Sequence, residues 1–234
     1  LGREVAIKEL QRRSEFAESL FVREALITAR LQHPGIVPVH EAGRWESGEP
    51  YYVMKFVDGK PLKKLIAKAT SLQERLALLP NVIGVADAIA YAHSEQVIHR
   101  DIKPANVMVG EFGETVVVDW GLARDGKNPQ LAQPGEIDET TQISADGSGA
   151  SSRSGSGKYS ISGKVMGTPA YMAPEQARGE EVDQRADVYS LGALLYETLA
   201  GRAPYSGKTP DDTLASVLEA CPVPLDERQK GVPK

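Results

Sequence analysis

The sequence predicts an α+β protein of two lobes, a small strand-rich one followed by a larger, mainly helical one. Three observations carry this expectation. Short β-branched and aromatic runs at Val5-Ala6-Ile7, Ile36 to His40 and Tyr51 to Val57 surround a single helical pattern near the start of the chain. From Asp58 onward the strand-rich character stops and long apolar helices take over. With 234 residues, 41% of them hydrophobic and 25% charged, the chain can bury the sizeable core that such a plan needs.

The elements follow in order. Val5-Ala6-Ile7 reads as a strand whose next residue, Lys8, turns toward a site. Residues 15 to 33 read as a helix, with Phe16, Leu20, Val22 with Arg23, Ala25, Leu26, Ala29 and Leu31 near helical spacing and His33-Pro34-Gly35 ending it. The strands Ile36 to His40 and Tyr51 to Val57 flank a polar, glycine-containing turn, and Asp58-Gly59-Lys60-Pro61 is a breaker. Ser71-Leu72-Gln73-Glu74 fits a capping box, in which the serine accepts from the backbone and the glutamate reaches back. Pro80 either kinks that helix or opens a second one, with Ile83, Ala86, Ile89, Ala90 and His93 along one face. Val107 to Val109 and Thr115 to Val118 form strands around the turn Gly110 to Glu114. An apolar helix from Asp187 to Ala200 stops at Gly201, and Thr209-Pro210-Asp211-Asp212 caps another. Asp125 to Gly163, rich in Ser, Gly, Thr, Asp and Gln, buries too little apolar surface to offset its ordering entropy and is expected to be a disordered insertion.

Composition narrows the function. A net charge of −5 argues against broad nucleic-acid binding, which needs a basic surface. Cys221 is the only cysteine, which excludes an intrachain disulfide and suggests a reducing, cytoplasmic compartment. No apolar run approaching the ~18 residues of a membrane span is expected in this chain, and no signal peptide; a membrane anchor elsewhere in a longer protein stays compatible. His33, His40 and His93 lack metal-ligand spacing and are expected to be structural, and Cys221 has no base at motif distance.

The chemistry concentrates in His99-Arg100-Asp101-Ile102-Lys103-Pro104-Ala105-Asn106 and in Asp119-Trp120-Gly121. A carboxylate, a lysine, an amide and a second carboxylate come in the order that phosphoryl transfer from ATP requires. Asp101 can take a hydroxyl proton, and Lys103 can steady the moving phosphoryl group. Asn106 and Asp119 can hold Mg²⁺, a cation that keeps waters and accepts few protein oxygens.

Three further segments complete the pattern: Val5-Ala6-Ile7-Lys8, Gly167-Thr168-Pro169-Ala170-Tyr171-Met172-Ala173-Pro174-Glu175, and Asp187-Val188-Tyr189-Ser190-Leu191-Gly192. With five matches in order, the chain resembles a bacterial serine/threonine protein kinase of the eukaryotic-like kind, in a subgroup carrying tryptophan within the DFG motif. The resemblance covers nearly the whole chain apart from the insertion. It implies a two-lobed protein-kinase fold with a partial N-lobe over 1–57, a C-lobe over 58–234 and the insertion 125–163 inside the activation segment. It also implies ATP as phosphoryl donor, Mg²⁺ or alternatively Mn²⁺ as metal, and serines or threonines of proteins as acceptors. Autophosphorylation in trans and a role in bacterial signalling belong to the same expectation.

Residue by residue, the resemblance makes Lys8 the contact to the α- and β-phosphates and pairs it with Glu24, with Glu15 and Glu18 as alternatives. Met54 would guard the back of the adenine pocket, the backbone at Lys55 and Val57 would receive the base, and Ala6 and Met108 would lie above and below it. His99, Trp120, Gly121, Glu175 and Asp187 become structural residues of the catalytic region. Thr168 would sit near Asp101 and Lys103 and help seat a short hydroxyl side chain. Arg100 suggests control by phosphorylation, since a guanidinium pairs well with phosphate. Ser160 and Ser162 are the leading acceptors for it, ahead of Thr140, Thr141, Ser148, Ser151, Ser152, Ser154 and Ser156.

Three departures from the family pattern set further expectations. The glycine-rich loop that the family places ahead of VAIK is not in this sequence, and Leu1-Gly2-Arg3 leads straight into a strand, so a partial domain is expected. Arg228 follows Asp187 too closely to match the family's partner for Glu175, so a buried carboxylate without a counter-ion is expected, at ~3–5 kcal/mol. Trp120 needs a larger pocket than phenylalanine would. Two other classes remain in view: a pseudokinase or scaffold module, against which Lys8, Asp101, Asn106 and Asp119 argue, and a small-molecule phosphotransferase, against which the Gly-Thr-Pro segment argues. A purified 1–234 protein is expected to bind ATP weakly and turn over poorly; full activity in a nucleotide-binding and phosphate-transfer assay would overturn this.

Overall fold

The computed structural model describes residues 2–10, 14–127 and 167–232. The small lobe is an antiparallel sheet of β1 (Val5–Glu9), β2 (Val39–Arg44) and β3 (Pro50–Lys55) in the order β1-β3-β2, covered by helix α1 (Glu15–Arg30). Ser14 caps α1 by accepting from the Ala17 N–H, and Glu15 and Glu18 lie at its positive end. Along β1, Ala6 and Lys8 face inward while Val5 and Ile7 face solvent, so the period of two delivers Lys8 to the same side as Ala6. The register sets Ala6 opposite Met54 and Lys8 opposite Tyr52. The second strand of the chain, β2, begins at Val39 and not at Ile36. Ile36 makes an isolated bridge to Val117 and is buried in the other lobe's core, so the apolar pair Ile36-Val37 serves packing while the ladder forms further on.

The larger body contains α2 (Leu62–Lys68), α3 (Leu72–Leu76), α4 (Leu79–Ser94), α5 (Pro174–Arg178), α6 (Gln184–Ala200), α7 (Pro210–Glu219) and α8 (Leu225–Arg228). Two small sheets sit on it: β4 (Gly59–Pro61), β6 (Val107–Gly110) and β7 (Thr115–Val117) in the order β4-β6-β7, and β5 (Val97–Ile98) paired with β8 (Arg124–Asp125). Asp58 to Pro61 is therefore more than a breaker, because Gly59 to Pro61 pair with Met108 to Gly110. Ser71 and Glu74 form the expected capping box, and Pro80 opens α4 in its first turn. Thr209 and Asp212 form a second box on α7. Gly201 ends α6 with φ +74°, a left-handed conformation that suits glycine.

The face of α4 differs from the expected one. Val82, Val85, Ala88, Ile89 and Ala92 are buried, while Ile83 is 69% exposed and Ala86 and Ala90 also face outward. The helix is apolar nearly all round, so periodicity alone does not choose the side; packing against α6 and β7 does. Leu72–Ser94 is also long and apolar enough to cross a membrane by length and composition, contrary to the expectation of no such run. In this fold it supplies Val82, Val85, Ala88, Ile89 and Ala92 to the central core with Leu62, Ile66, Ile102, Val107, Trp120 and Leu194.

The start of the expected insertion is corrected as well. Asp125 is folded in β8, and its fully buried carboxylate takes both terminal nitrogens of Arg30 at 2.5 and 2.9 Å. The Lys127 N–H adds a third donor at 2.9 Å. The remainder, 128–163, lies outside the described residues, as do Ser160, Ser162 and the weaker acceptors. Arg30→Ala would strand the Asp125 carboxylate and is expected to cost about 3 kcal/mol, read from the urea midpoint at constant slope.

Candidate active site

The catalytic segment runs from β5 through the 3-10 turn Pro104–Asn106 into β6. Its entry is held by Asp187 in the first turn of α6. That carboxylate, fully buried, accepts the His99 N–H on Oδ2 and the Arg100 N–H on Oδ1, each at 2.8 Å, and His93 Nε2 lies 2.8 Å from Oδ2. Arg100 adopts φ +66°, outside the usual range for a side-chain-bearing residue. The Gln176 amide donates to the Arg100 carbonyl at 2.9 Å and steadies the same peptide unit.

Asp101 emerges with its carboxylate largely enclosed. Its Oδ2 accepts from the Lys103 ammonium and, at 3.2 Å, from the Asn106 amide, which also donates to the Asp101 carbonyl at 3.0 Å. Oδ1 takes no donor among the described residues. Lys103 Nζ also donates to Thr168 Oγ1 at 2.8 Å, which brings the Gly167-Thr168-Pro169 segment to the Asp101 carboxylate. The structure thus assembles Asp101, Lys103, Asn106 and Thr168 into one hydrogen-bonded group.

The second group is built on Lys8. Its ammonium lies 2.5 Å from Glu24 Oε1 and 3.5 Å from Asp119 Oδ1. Glu24, not Glu15 or Glu18, is therefore the partner that the fold selects. Glu18 instead pairs with Arg44 at 2.5 Å. Asp119 has φ +66° and an open carboxylate, whereas Gly121 is confined: a Cβ there would lie 3.2 Å from Glu24 Oε2 and 3.3 Å from Asp119 Oδ1. The Val118 N–H to Asn106 carbonyl bond of 2.9 Å ties the two groups together.

Trp120 is fully buried beside His99, ring centroids 4.6 Å apart, so the larger aromatic is accommodated inside the central core. His99 Nδ1 accepts the Asp101 N–H at 3.2 Å, and burial pushes the imidazole's pKa below 6.5 despite the opposing charge of Asp187. That geometry requires the neutral ring. The bond ties the ring to the backbone of the loop.

Ala6 lies opposite Met54 in the β1–β3 register, and Met108 lies on β6. The Lys55 N–H donates to the Pro38 carbonyl at 3.0 Å, so the backbone of Lys55 can offer a purine only its carbonyl. Arg100 Nε donates to the Leu122 carbonyl at 2.8 Å, beside the entry to the activation segment. Glu175 departs from expectation: it is half-buried, not buried, so solvent reaches a carboxylate expected to be stranded. Arg228 lies 6.0 Å from the ring centre of Tyr196 instead.

Several residues were not singled out by sequence. Tyr52 donates to Glu24, Gln176 supports Arg100, and Arg23 donates to the Ala123 carbonyl from within α1. Tyr171 donates to Glu197 inside the body; burial first, eased by that hydrogen bond, raises the Glu197 pKa. Apart from Tyr171, which lies within the Gly167–Glu175 segment, these residues look like ordinary strand or helix positions in sequence, with no spacing that marks them.

The residues present fit a magnesium ion held mainly through nucleotide phosphates. Asp119 supplies an accessible carboxylate, and Asn106, its nitrogen committed to Asp101, keeps its side-chain oxygen without a donor among the described residues. No group of three or more His, Cys, Asp or Glu suited to a metal occurs among the described residues.

Two lobes, a lysine–glutamate pair and a loop of Asp, Lys and Asn define a phosphotransferase site of the protein-kinase class. Residues 1–230 match the family model described as Protein kinase domain, and the chain belongs to that family. It is similar to the serine/threonine-protein kinase PknD of Protochlamydia amoebophila, 37% identical over 227 residues, covering 90% of this chain and 22% of that protein. A probable serine/threonine-protein kinase of Streptomyces coelicolor is 38% identical over 216 residues, covering 90% of this chain and 28% of its own length. PknB of Mycobacterium tuberculosis is 34% identical over 240 residues, covering 99% of this chain and 34% of its own length. The chain thus spans between about a fifth and a third of these curated relatives.

His99 gives a pH prediction. Its folded pKa lies below the unfolded 6.5, so between the two values the unfolded chain binds the extra proton. Stability is therefore fully present above about pH 6.5 and falls as the pH drops toward the lowered folded value. Urea midpoints measured from pH 7.5 to 5.5 should decline, and His99→Phe should flatten that decline.

Proposed function

We propose that this chain is the catalytic domain of a protein serine/threonine kinase that transfers the γ-phosphoryl group of ATP to a protein hydroxyl in bacterial signalling. The observation that carries this reading is the hydrogen-bonded group Asp101, Lys103, Asn106 and Thr168 set beside the Lys8–Glu24 pair. The relatives, named as serine/threonine-protein kinases, support that class.

In this reading Lys8 binds the α- and β-phosphates while Glu24 holds it in place. The Lys55 carbonyl and the Val57 N–H receive the adenine, between Ala6 and Met108 and in front of Met54. The acceptor hydroxyl approaches the free Oδ1 of Asp101. Its oxygen forms a bond to the γ-phosphorus as the bond to the ADP oxygen breaks, and its proton passes to Asp101. Lys103 offsets charge on the phosphoryl oxygens, and Thr168, tied to Lys103, leaves room for a short side chain. Mg²⁺, held by Asn106 and Asp119, supplies charge neutralisation of the β- and γ-phosphates when bound; Mn²⁺ suits the same donors. Arg100, at the entry to the activation segment, is the residue we assign to reading a phosphorylated Ser160 or Ser162, added by a second copy in trans.

Asp101→Asn keeps the shape and removes the base, so kcat should fall by roughly 10²–10⁴ with nucleotide affinity retained. Phosphate incorporation into a protein substrate, compared between the two proteins, checks this. Equal incorporation sinks the mechanism.

A further inference from the structure

Glu24 has a second partner. Tyr52 stands opposite Lys8 in the β1–β3 register and donates its hydroxyl to the same carboxylate oxygen, Oε1, at 2.7 Å. Tyr52 is only 3% exposed, and its ring packs on Phe21 of α1 with centroids 5.2 Å apart. The Lys8 ammonium lies 5.9 Å from the centre of that ring. On the other side, Glu24 Oε2 faces the bare Cα of Gly121. The carboxylate is thus enclosed by a strand tyrosine, a lysine and a glycine.

We propose that Tyr52 is a positioning residue for phosphoryl transfer, its hydroxyl holding Glu24, and α1 with it, where Lys8 can pair. The inference rests on the kinase reading and deepens it.

The physical case begins with competition for Lys8. Its ammonium is shared between Glu24 and Asp119, and nucleotide phosphates would claim it as well. An ion pair with that many claimants is a variable tether for α1. Tyr52 is a neutral donor fixed on the sheet, and an anion does not draw it away from Glu24 in the same manner. If α1 turned Glu24 outward, the hydroxyl would be left unpaired within the apolar group of Phe21, Ala25 and Met54. A stranded buried donor disfavours that state, which biases the helix inward. Burial, reinforced by the charge of Glu24, pushes the phenol's ionisation well above its usual range, so the group remains a donor across physiological pH. Phenylalanine would fill the same space without the donor.

Tyr52→Phe is the test, read in two ways. Amide hydrogen exchange along residues 15–30 should rise several-fold, since α1 loses its tie to the sheet. In the phosphate-transfer assay kcat should fall about tenfold with the urea midpoint little changed, and the same substitution in a Glu24→Gln background should change kcat less than twofold. Unchanged exchange over α1 overturns the proposal, and so does an equal loss of kcat in both backgrounds. Exchange needs no turnover, so it decides the role of Tyr52 even if the unaltered protein transfers no phosphate, a result that would count against the kinase reading alone.

Discussion

The catalytic segment depends on one buried carboxylate. Asp187 has no solvent contact, and its two oxygens are spent on consecutive backbone N–H groups, those of His99 and Arg100. Burying a carboxylate without partners is strongly unfavourable, so the charge forces the loop to present those donors. Presenting two successive N–H groups to one carboxylate turns the chain sharply, and Arg100 takes φ +66° as a result, a strain on the order of 1–3 kcal/mol. The position of Asp187 in the first turn of α6, near the positive end of the helix dipole, eases the cost of its charge. From that turn follow the direction of Asp101, the reach of Lys103 and the contact with Thr168.

The second dependence runs across the lobes. Helix α1 belongs to the small sheet by its cluster of Phe21, Ala25 and Tyr52, yet Ile27 and Leu31 near its end pack into the core of the large body. Polar ties follow the same division. Glu24 joins Lys8 and Tyr52 in the small lobe, while Arg23 reaches the Ala123 carbonyl and Arg30 grips Asp125 at the start of the activation segment. Helix α1 therefore touches both Lys8, through Glu24, and the segment that follows Asp119-Trp120-Gly121, through Arg23 and Arg30.

Much of this was legible in the chain because the motif residues are contiguous. Asp101, Lys103 and Asn106 lie within six positions, and a short loop can bring them together without help from distant packing. The capping box at Ser71 and the helix cap at Thr209 were equally readable, since each is a local exchange of hydrogen bonds. Other features were not legible for the opposite reason. The buried side of α4 was chosen by α6 and β7, not by its own periodicity, and the exposure of Ile83 shows how little an evenly apolar helix reveals. Glu175 was read as a buried charge by its motif, whereas its half-buried setting depends on the surroundings of α5.

The sequence by itself determined the chemical inventory and its order: a lysine on a strand, a carboxylate and an ammonium in a loop, two metal-suited oxygens, and a segment bearing Thr168. It also determined the local stops and caps, because these involve neighbours in the chain. Tertiary structure decided which glutamate meets Lys8, which oxygen of Asp101 stays free, and that a strand tyrosine shares Glu24 with the lysine. Those contacts join residues separated by 16 and 28 positions at Glu24 and by 65 at Thr168. Their partners are selected by how lobes and helices pack, and no spacing along the chain encodes that.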